Sequence, residues 1–293
     1  MRKTKFYLLV AAIVGISIPY TMVSCDDDEE VTTTMTIDKT STTQLKVGET
    51  ATAVITIVAE EVKTFQYYKV VDEVKGNPVD AKANLTKNGN NYTYNFSYVV
   101  QEFDDLHTLG FEFELIDQNN NTKTVALVVN TSLSVKSSFV KYDWKVTEST
   151  WLGENVLTEA DAAIVYRFNE DGTYDEDLGA QYAADNHHFC YWAFKETPNN
   201  GDTIAIVRLI RRLKQGDTAI DEYYDYNITS ANSSTMTMYW DLAFWGLYDI
   251  KNIFTSQPKG AFQPYGTAEM AAIVEANDAL SCSHIDPALL TIP

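Results

Sequence analysis

Tyr92-Thr93-Tyr94-Asn95-Phe96-Ser97-Tyr98 alternates an aromatic side chain with a small polar one, position by position. Successive strand side chains point to opposite faces, so this pattern predicts a β-strand with one aromatic face buried and one hydroxyl- and amide-bearing face in water. Phe111, Phe113 and Leu115 alternate with Glu112 and Glu114 in the same way. Ahead of them, Asn88-Gly89 is a turn signal because both residue types accept positive φ. Behind them, Asn119-Asn120-Asn121 turns the chain into Thr124 to Asn130.

Working outward, Ala53 to Val58 reads as a fully buried strand. Phe65 to Val71 reads as another, stopped by Gly76-Asn77-Pro78, where proline removes a ladder donor. Six or seven short strands with turns about every ten residues predict a β-sandwich over residues 37–133. Thr131 to Ser138 is Ser-rich and marks a domain boundary.

From residue 139 the strands continue. Trp144 lies in Tyr142 to Thr147, and Ile164, Tyr166 and Phe168 alternate before Asp171-Gly172, read as a two-residue hairpin turn. Further strands are expected at Phe189 to Lys195, Thr203 to Leu209, Tyr223 to Ile228 and Thr235 to Trp240. Loops are expected at Thr197 to Gly201, Gln215 to Asp217 and Ser230 to Ser234. Short connections between neighbours predict an antiparallel meander curled into a barrel over residues 139–293. Thr267 is placed to cap a final helix carrying Met270, Ile273, Val274 and Leu280 at helical spacing, and this helix is expected to pack on the barrel or plug its mouth. The fold class is therefore all-β, in two domains.

The first 24 residues differ in kind. Arg2, Lys3 and Lys5 precede an apolar run from Phe6 to Ile18 and a small-residue segment ending at Ser24. That is the layout of a secretory signal peptide; the run is shorter than the roughly 20 residues a membrane span needs. Met22-Val23-Ser24-Cys25 resembles the lipobox of bacterial lipoproteins, although Met22 stands where that family prefers Leu. The resemblance implies cleavage before Cys25, lipidation of its thiol, and a membrane partner reached through that lipid. Asp26-Asp27-Asp28-Glu29-Glu30 resembles the surface-export signal of Bacteroidetes-type lipoproteins, and implies an outer-membrane protein exposed on the cell surface. Residues 25–36 then serve as an acidic, Thr-rich tether.

Residues 37–130 resemble the immunoglobulin-like modules behind the anchor of such lipoproteins, through Val47-Gly48-Glu49-Thr50 and the hairpin from Phe111 to Val129. Residues 140–254 resemble their lipocalin-like domains, through Trp144, Phe168 with Asp171-Gly172-Thr173-Tyr174, and the pair of Tyr226-Asn227-Ile228 with Met236-Thr237-Met238. These resemblances imply fold and carry no site.

The chain holds 22 Lys and Arg against 41 Asp and Glu, a formal charge of −19. A surface of that sign repels phosphate backbones, which excludes nucleic acid as a partner. With Cys25 used for lipid, Cys190 and Cys282 have one possible pairing in an oxidising compartment, a disulfide, with buried thiols as the alternative. His187 and His188 are adjacent and would face opposite ways on a strand, so no metal site is expected. Arg167 stands where a calcium-binding hairpin at residues 169–177 would need a carboxylate. No nucleophile elbow, zinc-protease or phosphate-loop motif is present, so no catalytic residue and no cofactor are assigned. Asp202-Thr203-Ile204 and Asp217-Thr218-Ala219 resemble Bacteroidetes O-glycosylation acceptors. The candidate ligand site is the aromatic cluster Trp240, Asp241, Phe244, Trp245 and Tyr248, where rings could stack on sugars and carboxylates could bind hydroxyls, or where rings could simply fill a core. The expected function is capture of glycans or other nutrients. The competing expectation is a structural or assembly component that contacts an outer-membrane protein, with a hydrolase third.

Overall fold

In the computed structural model, residues 31–178, 187–200, 202–215, 217–240 and 250–293 are described. The chain divides into two compact units, one ending at Ser134 and the other beginning at Val135.

The first unit consists of two four-stranded antiparallel sheets. One contains β1 (Thr34–Ile37), β2 (Thr50–Val58), β6 (Asn91–Val99) and β5 (Thr86–Asn88); the other contains β4 (Val74–Asp80), β3 (Val62–Val71), β7 (Leu109–Asp117) and β8 (Thr122–Val129). Between β1 and β2 the chain changes sheets, and Ser41 and Leu45 bridge in parallel to Val128 and Thr131 beside β8. The alternating aromatics do what their period requires. Tyr94 and Phe96 of one sheet meet Phe65, Phe111 and Phe113 of the other, with Phe96 and Phe111 ring centres 4.6 Å apart.

Several expectations are corrected in this unit. Thr34 to Thr36 belongs to β1 and not to the tether, because Met35 turns into the core and Thr33 Oγ1 donates to Asp117 at 2.6 Å. The strand at Ala53 to Val58 is buried on one face only, and Val54 is exposed. Gly76-Asn77-Pro78 does not stop β3; it lies in edge strand β4, where a missing donor is tolerated. The reversal sits earlier, at Asp72 and Glu73, both with positive φ.

The second unit opens with α1 (Val135–Lys141), which buries Ser137, Ser138, Phe139 and Val140. The Ser-rich boundary is thus in part a helix, its small serines fitting where bulk would clash. β9 (Tyr142–Trp151) follows, then β10 (Glu154–Asn155), α2 (Glu159–Ala163), β11 (Val165–Phe168), β12 (Tyr174–Asp177), β13 (His187–Asn200), β14 (Thr203–Gln215), β15 (Thr218–Ala231), β16 (Thr235–Trp240) and β17 (Ile250–Pro258). β9 pairs with β11 and β11 with β12, β13 to β17 pair in chain order, and β17 returns to β9, giving a nearly closed eight-stranded antiparallel barrel. The strand that completes the ring, β17, has no counterpart among the sequence expectations. β13, β14 and β15 run several residues past their expected ends, so residues 197–200 are strand and not loop.

The open seam lies between β12 and β13. At one end it is closed by the turn of residues 169–173, which is longer than a two-residue hairpin. Gly172, at φ +84°, accepts a bond from Trp192 N at 2.9 Å, and Thr173 bridges Tyr191. Farther along, Tyr265 fills the gap. Its ring stacks on Phe189, and its hydroxyl accepts from Phe189 N at 3.2 Å, standing in for a missing ladder partner. α3 (Ala268–Glu275) covers this seam with Ala271 and Val274 against Ile164 and Leu178, and Thr267 caps it by accepting from Met270 N. It packs on the barrel wall, while Ile273 stays exposed because it points away from that contact.

Candidate functional site

The register of the barrel sorts its inward residues into two halves. At the end closed by α1, Trp144, Phe168, Trp192, Val207, Ile228, Met236 and Met238 are buried. Phe139 enters from the helix and lies within 5.1 to 6.2 Å of the rings of Phe168, Trp192 and Trp144. That half is a filled core.

Toward the other end the inward positions are Tyr166, Glu176, Phe189, Leu209, Arg211, Glu222, Tyr224, Tyr226, Trp240 and Ile250, and every one keeps part of its surface uncovered. They are wide side chains that touch along the wall, as Trp240 does Tyr224, but each is only half-buried, so this half of the barrel is less filled than the other. The lining is therefore a recess within the barrel wall.

Its polar groups form two hydrogen-bonded sets. Arg211 Nε donates to Glu222 Oε2 at 2.7 Å, and its second nitrogen donates to the Tyr224 hydroxyl at 3.1 Å. The Tyr174 hydroxyl donates to Glu176. Burial raises the Glu176 carboxyl to about 7, against the opposing pull of the Tyr174 bond and the Arg211 charge. Burial, with Glu176 second, likewise raises Tyr226. Glu176 on β12 thus feels Arg211 on β14, and Tyr226 on β15 feels Glu176. All three stand at inward register positions, so their charges act on one another in the barrel interior. At the rim, Trp240 packs edge-on to Tyr224 at 5.1 Å and lies 6.1 Å from Tyr226. Ile250 and Trp151 continue its row across β17 and β9, and Trp151 is exposed.

Trp240 is therefore the member of the expected aromatic cluster that reaches this recess. Asp241, Phe244, Trp245 and Tyr248 lie outside the described residues, as does Cys25. Sequence reasoning missed Glu176, Arg211, Glu222, Tyr224 and Tyr226.

Cys190 and Cys282 form a disulfide, with Cα atoms 5.5 Å apart. It pins the C-terminal segment to the outer face of β13, where Ile285 and Leu289 pack on Ile210 and Tyr191. His188 Nδ1 lies 3.6 Å from Cys282 Sγ, but sulfurs joined to each other supply no thiolate for a metal. Burial lowers the His188 pKa. Thr203 helps line a separate, open depression of about 520 Å³ with Asp202, Asn227, Thr229 and Tyr239, while Thr218 is exposed at the start of β15.

No family model and no curated protein matches the chain. Among solved structures, it is similar to the sporulation control protein Spo0M from Bacillus subtilis, at 7% identity and TM-score 0.24, over 78% of this chain and 91% of that one. It is also similar to a DUF4466 family protein from Parabacteroides merdae, at 8% identity and TM-score 0.24, over 78% of this chain and 99% of that one.

Proposed function

We propose that this chain is a lipid-anchored surface protein whose C-terminal barrel binds a small ligand, a glycan or another nutrient, on behalf of an outer-membrane uptake system. The observation that carries the binding reading is the half-filled barrel: one end packed solid around Phe139, the other lined by half-buried tyrosines, Trp240 and charged groups. Barrel mouths are recurrent ligand sites, and aromatic faces with a few fixed polar groups suit sugar rings. The anchor rests on the lipobox-like Met22 to Cys25 and the acidic run behind it. Two four-stranded sheets around an aromatic core suit an immunoglobulin-like spacer module, and the up-and-down strand order of the second unit suits a lipocalin-like domain.

A glycan array probed with the chain from Asp26 onward tests this reading. Saturable binding of at least one glycan, lost on Trp240→Ala, is the expected result. The second reading, an assembly or adhesion component, draws on the exposed rim residues Trp151 and Leu152, which could contact protein. Absence of any glycan bound, together with a stoichiometric protein partner lost on Trp151→Ala, would favour it.

A further inference from the structure

The groups lining the recess also constrain what can enter it. Among the described residues, Arg211 is the one cation at an inward barrel position, and it is already committed. It donates to Glu222 and to Tyr224, and its guanidinium lies 5.3 Å from the Tyr224 ring centre and 5.9 Å from that of Phe189. Two carboxylates, Glu176 and Glu222, share the recess with it. Above about pH 7, where Glu176 carries its charge, an incoming carboxylate or phosphate would meet two acids and, among the described side chains, no cation without a partner, which is a desolvation loss with no compensating ion pair.

We infer that the recess selects uncharged ligands bearing hydroxyls and a flat or apolar ring face, and that Glu176 and Glu222 are the groups that reject fatty acids and other anion-headed molecules. This rests on the proposed binding role of the same recess. Hydroxyls of such a ligand would find acceptors in the two carboxyl groups and donors or acceptors in the Tyr224 and Tyr226 hydroxyls. Its ring face would find Trp240 at the rim. Specificity of this kind comes as much from the repelled competitor as from the attracted ligand.

The test uses two dyes of one framework, uncharged phenylnaphthylamine and its sulfonated analogue anilinonaphthalene sulfonate, titrated by fluorescence at about pH 8, above the Glu176 pKa, against the chain from Asp26 onward. The uncharged dye should bind at least about tenfold more tightly, since a like charge within several ångströms in a partly desolvated site costs that much or more. Trp240→Ala should weaken the uncharged dye about fivefold or more, which locates it in the recess. Replacing both acids, Glu176→Gln with Glu222→Gln, should bring the two dyes within about threefold of each other. Glu176→Gln alone keeps the Arg211–Glu222 pair and should close part of the gap, which serves if the double variant does not fold. Equal affinity of the two dyes in the unsubstituted chain, or a ratio unmoved by either substitution, would overturn the selectivity while leaving a binding recess. Failure of both dyes to bind, or indifference of the uncharged dye to Trp240→Ala, would remove the recess and the binding role with it.

Discussion

Glu176→Gln tests the physical reading of the barrel most directly, because it changes one charge and almost no volume. The Glu176 carboxyl is raised from 4.5 to about 7 in the folded chain, chiefly by burial. A displacement of that size corresponds to about 3 kcal/mol of penalty on the charged form. The side chain keeps some surface uncovered, and glutamine gives up the attraction of Arg211, so a realised effect of about 1–3 kcal/mol is expected. The sign follows from proton counting. Below pH 4.5 both folded and unfolded chains hold the proton, and its contribution to stability is fully present. Between there and about 7 the unfolded chain releases the proton while the folded one retains it, so stability falls as pH rises and then levels off. Asp175, raised to about 6 by burial and by Glu275, adds a slope of the same sign.

Glutamine cannot titrate, and its amide oxygen still accepts from the Tyr174 hydroxyl. The variant should therefore match the parent near the acid end of that window and exceed it in stability at about pH 8 by about 1–3 kcal/mol. Urea denaturation followed by tryptophan fluorescence is a clean assay, because all five tryptophans lie at or beyond Trp144 and report on the barrel unit alone. A difference between variant and parent that stays constant across this range, or that runs in the parent's favour as pH rises, would refute the claim that Glu176 faces a desolvated interior.

Asp143 is 1% exposed and takes two bonds from Arg167 at 2.7 Å and one from Gly260 N at 3.2 Å, so Asp143→Ala should cost about 3–5 kcal/mol by leaving a guanidinium without its partner, measurable in the same urea titration. Reduction of Cys190–Cys282, which closes a loop across a separation of 92 residues, should lower barrel stability by about 2–4 kcal/mol, and alkylation of the unfolded, unreduced protein should label neither cysteine. Cys25→Ala should move the protein from the membrane fraction to the soluble fraction, as followed by fractionation and immunoblot; retention in the membrane would end the lipid-anchor reading.

Much of the fold was open to reading because strand period and turn chemistry are local. The alternation at Tyr92 to Tyr98, the strand Thr235 to Trp240 and the Thr267 cap all appear where local rules put them. The misses share a cause: tertiary context overrode the local signal. Pro78 looks like a stop, yet an edge strand has one side with no ladder to break. Asp72-Glu73 is a weak turn signal, because it holds no glycine and glutamate seldom takes positive φ, and the pairing of Val71 with Val74 imposes it. Strand β17 went unread since its alternation is mixed: Phe254 faces the core, but Asn252, two residues earlier on the same face and level with Met238, is polar.

The recess was the least legible part, for a reason that residues 174–177 make plain. Tyr174-Asp175-Glu176-Asp177 reads in isolation as a solvated acidic hairpin arm. Register puts Glu176 beside Tyr166 on the inner face, while Asp177 on the outer face accepts from Gln263 N at 3.0 Å. A slip of one residue would exchange them, turning two aspartates into an apolar barrel and a tyrosine into solvent, so Tyr174, fully buried against Phe168, holds the register that sends one acid inward. The partners that give this acid meaning, Arg211 and Tyr226, arrive on two other strands, 35 and 50 positions later. No spacing rule joins them. What joins them is closure of the ring by β17 on β9 and the plug of Phe139 beneath, which leaves the upper half of the barrel as the place where charged and aromatic groups face inward and stay only half-buried.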